Sequence, residues 1–341
     1  MKILYPSRLF LLIMLLSFSL FSAESQEKLS EGMVNPGYHE KPSWFKESFL
    51  DIREDIEEAT AENKRVLLYF YQDGCPYCGK LLRDNFADRE IAAYSQEKFD
   101  VIAINMWGDR EVINVNGDTV SEKEFSKNLK VQFTPTMVYL DEAGKKLLRI
   151  NGYYTPDRFL TALKYIGEKK EKSLSIRDYF KQLKPAKASG KLHAQHNTLA
   201  NDLTNTSRPL IVSFEQKTCK DCDELHGDIL NRKNVKKSLS NFEFVALDMW
   251  SNDEITVPDG RRLKIVDWAQ ELGIQYSPSK VFFIDNREVF RTEAYLKSFH
   301  TKAALDYVSS GAYKTVTEFQ RYVQQIADDL HARGIEYDLM D

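Results

Sequence analysis

The chain has 341 residues, of which 43% are hydrophobic and 29% are charged, a composition typical of a globular protein with room for two domains. Its net charge of -4 comes from 47 basic and 51 acidic residues interspersed along the chain, so there is no basic stripe of the kind that binds nucleic acid. We therefore expect a globular protein without a nucleic-acid partner.

The N-terminus has the layout of a secretory signal. Lys2 and Arg8 precede an uncharged apolar run over residues 9–21, and two small residues follow it. We therefore expect residues 1–23 to be a signal peptide, the protein to work in the periplasm, and no stable membrane insertion after cleavage. Because the run is shorter than the roughly 20 residues that a membrane span needs, an uncleaved anchor is the minor alternative. Export would place the four cysteines where disulfides persist.

Helical periodicity and short apolar runs predict alternating helices and strands in the first half. In chain order, these are a helix over 50–59, a strand over 66–71, helices over 76–86 and 90–98, a strand over 101–104, a helix over 121–129, strands over 137–140 and 147–150, and a helix over 155–166. Ser121 and Glu124 form a capping-box signature at the start of one helix. This order predicts a mixed sheet with helices on both faces.

The second half repeats the landmarks of the first. Cys75-Pro76-Tyr77-Cys78 returns 144 residues later as Cys219-Lys220-Asp221-Cys222, and Asn105-Met106-Trp107 returns 143 residues later as Asp248-Met249-Trp250. The predicted strands of the second copy cover 210–214, 244–248, 281–284 and 288–291. The period is far longer than the about 20 to 50 residues of stacked repeats, so the chain is predicted to contain a duplicated domain.

The register of the repeat also predicts the domain boundaries. We expect a first domain over residues 44–184, a linker over 185–194 and a second domain over 195–335. The linker is predicted because this stretch holds proline, serine and glycine and has almost no apolar residues. The first helix of the second copy is predicted to be shorter than its counterpart. Each copy ends in a helix, near 176–183 and 317–333, and we expect the latter to pack on its own domain.

Both Cys-x-x-Cys motifs follow a buried strand and begin a helix. Unpaired N–H groups and the helix dipole favour a thiolate at that position. This predicts that Cys75 and Cys219 are the attacking thiols, and that Cys78 and Cys222 are the resolving thiols that release the reduced partner. We expect the sulfur of Cys75 to be exposed and ionised, and to be alkylated faster than Cys78. The sequence predicts no cofactor.

Two prolines that precede strands lead to a family resemblance. In Thr134-Pro135 and Ser277-Pro278 the proline stands where a cis bond at a turn is expected. The order of strand, Cys-x-x-Cys, helix and Thr-Pro or Ser-Pro resembles the thioredoxin superfamily over nearly all of both copies. The resemblance implies an α/β fold with two tandem thioredoxin-like domains, each a mixed central sheet flanked by helices with an extension before the cis-proline region. It also implies that Thr134, Pro135, Ser277 and Pro278 bind substrate, since the residue before the proline offers backbone hydrogen bonds to a substrate strand.

A closer likeness is to the SoxW-type thioredoxins, which are periplasmic proteins associated with sulfur-oxidising systems. The matching stretches are residues 69–78, the extension over 108–120, Gly152-Tyr153 and the tail over 311–319. The chain departs from ordinary thioredoxin, which carries a buried acid six residues before the first cysteine, because Tyr69 and Ser213 stand there. The sequence therefore offers no obvious base for the resolving cysteines.

These features predict an exported thiol-disulfide oxidoreductase, and we expect it to act as a reductase. Its expected partners are disulfide-containing proteins or small disulfides and a redox protein that recharges the sites, for which a membrane protein is one candidate. One alternative is a thioredoxin-fold binding module or chaperone with one or both sites redox-silent. A metal-handling protein is less favoured, because 141 residues separate the two cysteine pairs whereas zinc motifs separate them by about 15 to 20.

The second motif is less easily interpreted than the first. Lys220 favours a thiolate at Cys219 while Asp221 and Asp223 oppose it, so the direction of the pKa shift stays open. A stable structural disulfide is the alternative to an active site there. His226 follows Cys222 by four residues, and is either an ordinary partly exposed histidine or a group that tunes that sulfur or joins a metal.

Overall fold

The computed structural model describes residues 37–180, 188–193, 201–204 and 206–340. The predicted signal peptide over 1–23 lies outside this part of the chain, as do residues 185–187 and 194 of the predicted linker. The boundaries at 184 and 195 also lie outside it, so the predicted domain limits stay predictions. Within the described ranges, no helix has both the length and the apolar character needed to cross a membrane.

The first half of the described chain forms a four-stranded mixed sheet in the order β2-β1-β5-β6. Strands β1 and β2 are parallel, and the other two pairs are antiparallel. The elements are α1 (Ile52–Ala61), β1 (Arg65–Tyr71), α2 (Pro76–Leu81), α3 (Arg89–Lys98), β2 (Phe99–Asn105), β3 (Glu111–Ile113), β4 (Thr119–Ser121), α4 (Glu122–Asn128), β5 (Thr136–Leu140), β6 (Lys146–Asn151), α5 (Pro156–Gly167) and α6 (Ile176–Phe180). A π-helical turn over Leu82–Phe86 continues α2.

The central strand β1 shows why this sheet needs helices on both faces. Its side chains alternate between two apolar clusters, with Leu67 and Tyr69 in one and Leu68 and Phe70 in the other. A strand that is buried on both faces is a continuous apolar run in the sequence, as predicted. The predicted helix start at Ser121 is also confirmed, because the Ser121 hydroxyl accepts a hydrogen bond from the backbone N–H of Glu124 at 3.1 Å.

The second half repeats the sheet in the equivalent order β12-β11-β7-β8. Its elements are β7 (Leu210–Glu215), α7 (Lys220–Gly227), α8 (Lys233–Leu239), β8 (Glu243–Asp248), β9 (Glu254–Thr256), β10 (Arg262–Lys264), α9 (Ile265–Glu271), β11 (Ser279–Ile284), β12 (Arg287–Thr292), α10 (Ser298–Ser309) and α11 (Phe319–Ala332). The first helix predicted for this copy would fall near residues 194–200, outside the described part. The predicted fold of two tandem α/β domains is confirmed.

The helix that ends each domain, α6 or α11, also contacts the other domain. Helix α11 packs on its own domain, as predicted, but the ring of Phe319 also lies 5.5 Å from that of Phe133 in the first domain. The Arg321 guanidinium lies 4.6 Å from the centre of the Trp107 ring. In the reverse direction, the guanidinium of Arg177 on α6 lies 4.6 Å from the Trp250 ring. The two domains therefore cover each other reciprocally.

Candidate active sites

The first cysteine pair lies where β1 gives way to α2. Cys75 is the N-cap residue of α2, and its sulfur accepts a hydrogen bond from the backbone N–H of Cys78 at 3.0 Å. The two cysteines form a disulfide. Pro76 occupies the first helical position, where the N–H that proline lacks would have no partner in the helix. After reduction, the positive end of the helix would favour the thiolate of Cys75.

The second pair has the same arrangement on β7 and α7. Cys219 is the N-cap residue, its sulfur accepts a hydrogen bond from the Cys222 N–H at 3.0 Å, and the two cysteines form a disulfide. The two aspartates that follow Cys219 have different hydrogen-bond partners. Asp221 is partly buried and accepts a hydrogen bond from the Tyr276 hydroxyl, whereas Asp223 pairs with linker residues.

Both predicted cis-prolines lie beside a cysteine pair. The Thr134-Pro135 and Ser277-Pro278 peptide bonds are cis. The carbonyl oxygen of Thr134 lies 3.4 Å from the Cys75 sulfur, and that of Ser277 lies 3.6 Å from the Cys219 sulfur. The structure thus brings the eight predicted site residues together as two groups of four. Their catalytic and substrate-binding roles stay predictions.

Comparison with known proteins agrees with this geometry. The family model described as a thioredoxin-like domain matches residues 52–167 and 198–309, which is more than half of the chain. The chain belongs to the thioredoxin-like domain family. Each matched stretch contains one cysteine pair and one cis-proline, so this thioredoxin-like protein has two tandem domains with the same arrangement of these residues. The closer likeness to SoxW-type thioredoxins stays a prediction.

Named relatives resemble parts of the chain. The thiol:disulfide interchange protein DsbD of Photorhabdus laumondii is 25% identical over 117 residues, which are 33% of this chain and 19% of that protein. The protein of the same name from Actinobacillus pleuropneumoniae is 23% identical over 119 residues, 34% of this chain and 18% of its own. The chain thus spans about a fifth of the length of these curated relatives. A solved thioredoxin-fold protein from Helicobacter pylori is 30% identical, with 35% of this chain and 80% of that chain covered and a TM-score of 0.31.

The prediction that the Cys75 sulfur is exposed is wrong for this structure. Cys75 is 2% exposed and Cys219 is 6% exposed. Cys75 borders a cavity of about 40 Å³, whose walls include α11 and the start of α10 from the second domain. Cys219 borders a cavity of about 540 Å³ between its own domain and helices α5 and α6 of the first. The sequence could not show this cover, because it comes from the other copy of the fold.

Tyr77 of the first motif is anchored by the second domain. Its hydroxyl accepts a hydrogen bond from the backbone N–H of Lys297 at 2.9 Å. Its ring packs edge-on against the imidazole of His300, with ring centres 5.1 Å apart, and both side chains are buried. Burial lowers the pKa of His300 to about 4, because a charged imidazole would lose its hydration there.

Acid is therefore expected to destabilise the contact between Tyr77 and His300. An exposed histidine binds a proton near pH 6.5, whereas buried His300 does so only near pH 4. The stability that this difference provides is present above pH 6.5 and is lost as the pH falls towards 4, with about 2 kcal/mol lost by pH 5. Urea unfolding at pH 7.5 and pH 5 would measure this loss.

The matched variants are His300→Phe, which keeps an aromatic ring but does not titrate, and His331→Phe on exposed surface. We expect His300→Phe to lose about 2 kcal/mol less than the wild type between these pH values. His331→Phe should behave as the wild type does. Equal acid sensitivity in all three proteins would contradict the role of His300.

The strand before the second cysteine pair holds a buried acid that the sequence patterns did not reveal. Glu215, the last residue of β7, is fully buried, and its carboxylate lies 2.8 Å from both the Ser213 hydroxyl and the His226 imidazole. His226 lies one turn after Cys222 on α7, so this pair connects the acid to the helix of the resolving cysteine. Alternation along β7 was the available signal, because Ser213 and Glu215 share one face of the strand.

The first domain has uncharged residues at two positions where the second domain has buried charged residues. Tyr71 and Met137 stand where the second domain has Glu215 and Lys280. Tyr69 is fully buried there, and burial raises the pKa of its phenol well above the usual value, so it stays protonated at neutral pH. The two domains therefore share their cysteine geometry and differ in the polar groups beneath it.

Proposed function

We propose that this protein is exported to the periplasm, where its two Cys-x-x-Cys sites reduce disulfides in partner proteins. The observation that carries the proposal is the placement of each pair at a helix start beside a cis-proline. The signal-like segment over residues 1–23 supports export. The similarity to two proteins named for thiol:disulfide interchange supports a redox partner that recharges the sites.

The reaction transfers two electrons from a reduced cysteine pair to the substrate. The thiolate of Cys75 or Cys219 attacks one sulfur of the substrate disulfide, forms a mixed disulfide and releases the first substrate thiol. Cys78 or Cys222 then gives up its proton and attacks the sulfur of its neighbour, which releases the second substrate thiol and closes the disulfide within the pair. A dithiol partner must reduce that disulfide before the next cycle.

The cis-proline segments are proposed to hold the substrate during this exchange. The carbonyl oxygens of Thr134 and Ser277 lie beside the attacking sulfurs, and Pro135 and Pro278 keep those segments in place. In the first site this segment is buried under the second domain, so a protein substrate must displace that cover. In the second site the neighbouring cavity leaves more room.

An insulin-reduction assay with dithiothreitol as the electron source tests this function. We expect Cys75→Ser and Cys219→Ser each to remove the part of the insulin-reduction rate that one site contributes. The double variant should reduce no insulin, because no attacking sulfur remains. Circular dichroism would verify that the variants keep their fold. A wild-type protein that reduces insulin no faster than the double variant, yet suppresses its aggregation, would contradict the proposal and favour a chaperone.

A further inference from the structure

The two cysteine pairs differ in the space that the opposite domain leaves beside them. Arg177 and Phe180 of α6 line the cavity at Cys219, and their counterparts 143 residues later, Gln320 and Val323 of α11, line the cavity at Cys75. The volumes are about 540 Å³ and about 40 Å³. The larger volume is in the range of small-ligand pockets, about 300 to 1,000 Å³, whereas the smaller one holds only a few waters.

Aromatic rings and guanidinium groups line the larger cavity together. The guanidinium of Arg177 lies 4.6 Å from the centre of the Trp250 ring, and that of Arg158 lies 4.8 Å from the Phe180 ring. These contacts hold the planar groups in fixed orientations at the boundary between the domains. Apolar surface with a few positioned polar groups is typical of a small-molecule site.

Both guanidinium groups keep donors that no described residue uses. Arg158 donates one hydrogen bond to the carbonyl oxygen of Gln275, and Arg177 donates one to that of Met249. The Nε atoms of both arginines are buried, and neither has an acceptor among the described residues. Because these Nε atoms have almost no accessible surface, a carboxylate in the cavity would pair with the terminal N–H groups of each guanidinium.

The charge balance of the cavity also favours an anionic ligand. Four basic and three acidic side chains line it. Lys217 and Lys220 add exposed positive charge beside the two arginines. Of the acidic groups, Asp221 already accepts a hydrogen bond from a tyrosine hydroxyl at 2.6 Å, and Asp248 accepts one from a backbone N–H at 3.1 Å. The lining therefore carries one more basic than acidic side chain, and two of its three carboxylates already accept a hydrogen bond.

We propose that the cavity at Cys219 binds a small disulfide that carries carboxylates, of the size of cystine or oxidised glutathione. Arg158 and Arg177 would pair with the carboxylates and so bring the disulfide to Cys219. The inference rests on the proposed function and narrows its substrate class at the second site. The volume of about 540 Å³ suits a small molecule of this size.

The chemistry is a complete two-electron exchange. The Cys219 thiolate attacks one sulfur of the small disulfide, and one carboxylate-bearing thiol leaves. The Cys222 thiol loses its proton and attacks the Cys219 sulfur, so that the second small thiol leaves and the Cys219–Cys222 disulfide forms. The reduced pair supplies both electrons, so one turnover needs no further reductant.

The test uses the full chain with Cys75→Ser and Cys78→Ser, so that only the second pair reacts. The reduced protein is mixed in single turnover with oxidised glutathione or with uncharged 2-hydroxyethyl disulfide. We expect oxidised glutathione to react faster, and Arg158→Gln or Arg177→Gln to slow that reaction about tenfold or more, because a charge-assisted hydrogen bond is lost. The reaction with 2-hydroxyethyl disulfide should stay unchanged. Arg262→Gln, on an exposed edge of β10, serves as the matched control.

The outcomes separate this inference from the proposed function. If the arginine variants slow both disulfides equally, the arginines act through the fold and the inference fails. If the parent protein reduces insulin and both small disulfides with no preference for oxidised glutathione, the inference fails while the proposed function stands. If the parent protein reduces none of these substrates, the proposed function fails at this site and the inference fails with it.

Discussion

Val323→Asp is expected to raise the rate at which a bulky maleimide labels reduced Cys75 by about tenfold or more. Val323 is buried on α11 and lines the small cavity over Cys75. A carboxylate buried there would destabilise the contact between α11 and the first domain by several kcal/mol. A change of about 1.4 kcal/mol in the equilibrium between covered and uncovered Cys75 already alters the uncovered fraction tenfold. Labelling of the protein with Cys219→Ser and Cys222→Ser, followed by mass spectrometry, would measure the rate.

Gln325→Asp provides the matched control, because it places the same charge on an exposed position of the same helix. It should leave the labelling rate of Cys75 at the wild-type value. In the protein with an intact second pair, Val323→Asp should change the labelling of Cys219 much less, since a larger cavity already adjoins that sulfur. Equal acceleration by both variants, or none by Val323→Asp, would show that α11 does not restrict access.

Lys280→Met is expected to stabilise the second domain by about 3 kcal/mol at pH 7, because the folded state holds this buried ammonium at a net electrostatic cost. Lys280 is 3% exposed on β11, and burial lowers its pKa to about 8 although the charge of Glu215 opposes that shift. The ammonium is still charged at pH 7. Because its pKa stays below the usual value of 10.5, the attraction of Glu215 does not offset the lost hydration. Urea unfolding followed by tryptophan fluorescence would measure the gain.

The first domain already has the uncharged arrangement, with Tyr71 and Met137 at the two positions. In a Glu215→Gln background the gain from Lys280→Met should be larger than in the wild type, because the attraction that partly offsets the buried ammonium is absent there. If Lys280→Met lowers the stability instead, packing outweighs the charge and the electrostatic explanation is wrong.

Much of the fold could be predicted because its signals are local or repeated. Local signals predicted three features, which are the apolar run of β1, the cap at Ser121 and the prolines before β5 and β11. The repeat then extended the predicted strands, cysteine pair and proline from the first copy to the second. The family resemblance implied that each cysteine pair lies beside a cis-proline. The spacing of these residues in the sequence does not predict that contact.

The contacts between the domains could not be predicted in this way. Tyr77 meets Lys297 across 220 residues of chain, and no periodicity relates them. The apolar face of α11 indicated that it packs on something, but Phe319 serves its own domain and Phe133 of the other at once. The pairing of Glu215 with His226 was also hidden, because it depends on how closely α7 approaches β7.

The reciprocal cover has a consequence for large substrates. Under the proposed function, a protein substrate that fits neither cavity would have to part the domains to reach one cysteine pair, and that movement would withdraw α6 from Cys219 and α11 from Cys75. A single encounter with the fully reduced protein would then present four thiols instead of two. A substrate with two disulfides would have both opened before it departs, and a substrate with one would leave the second pair reduced for the next.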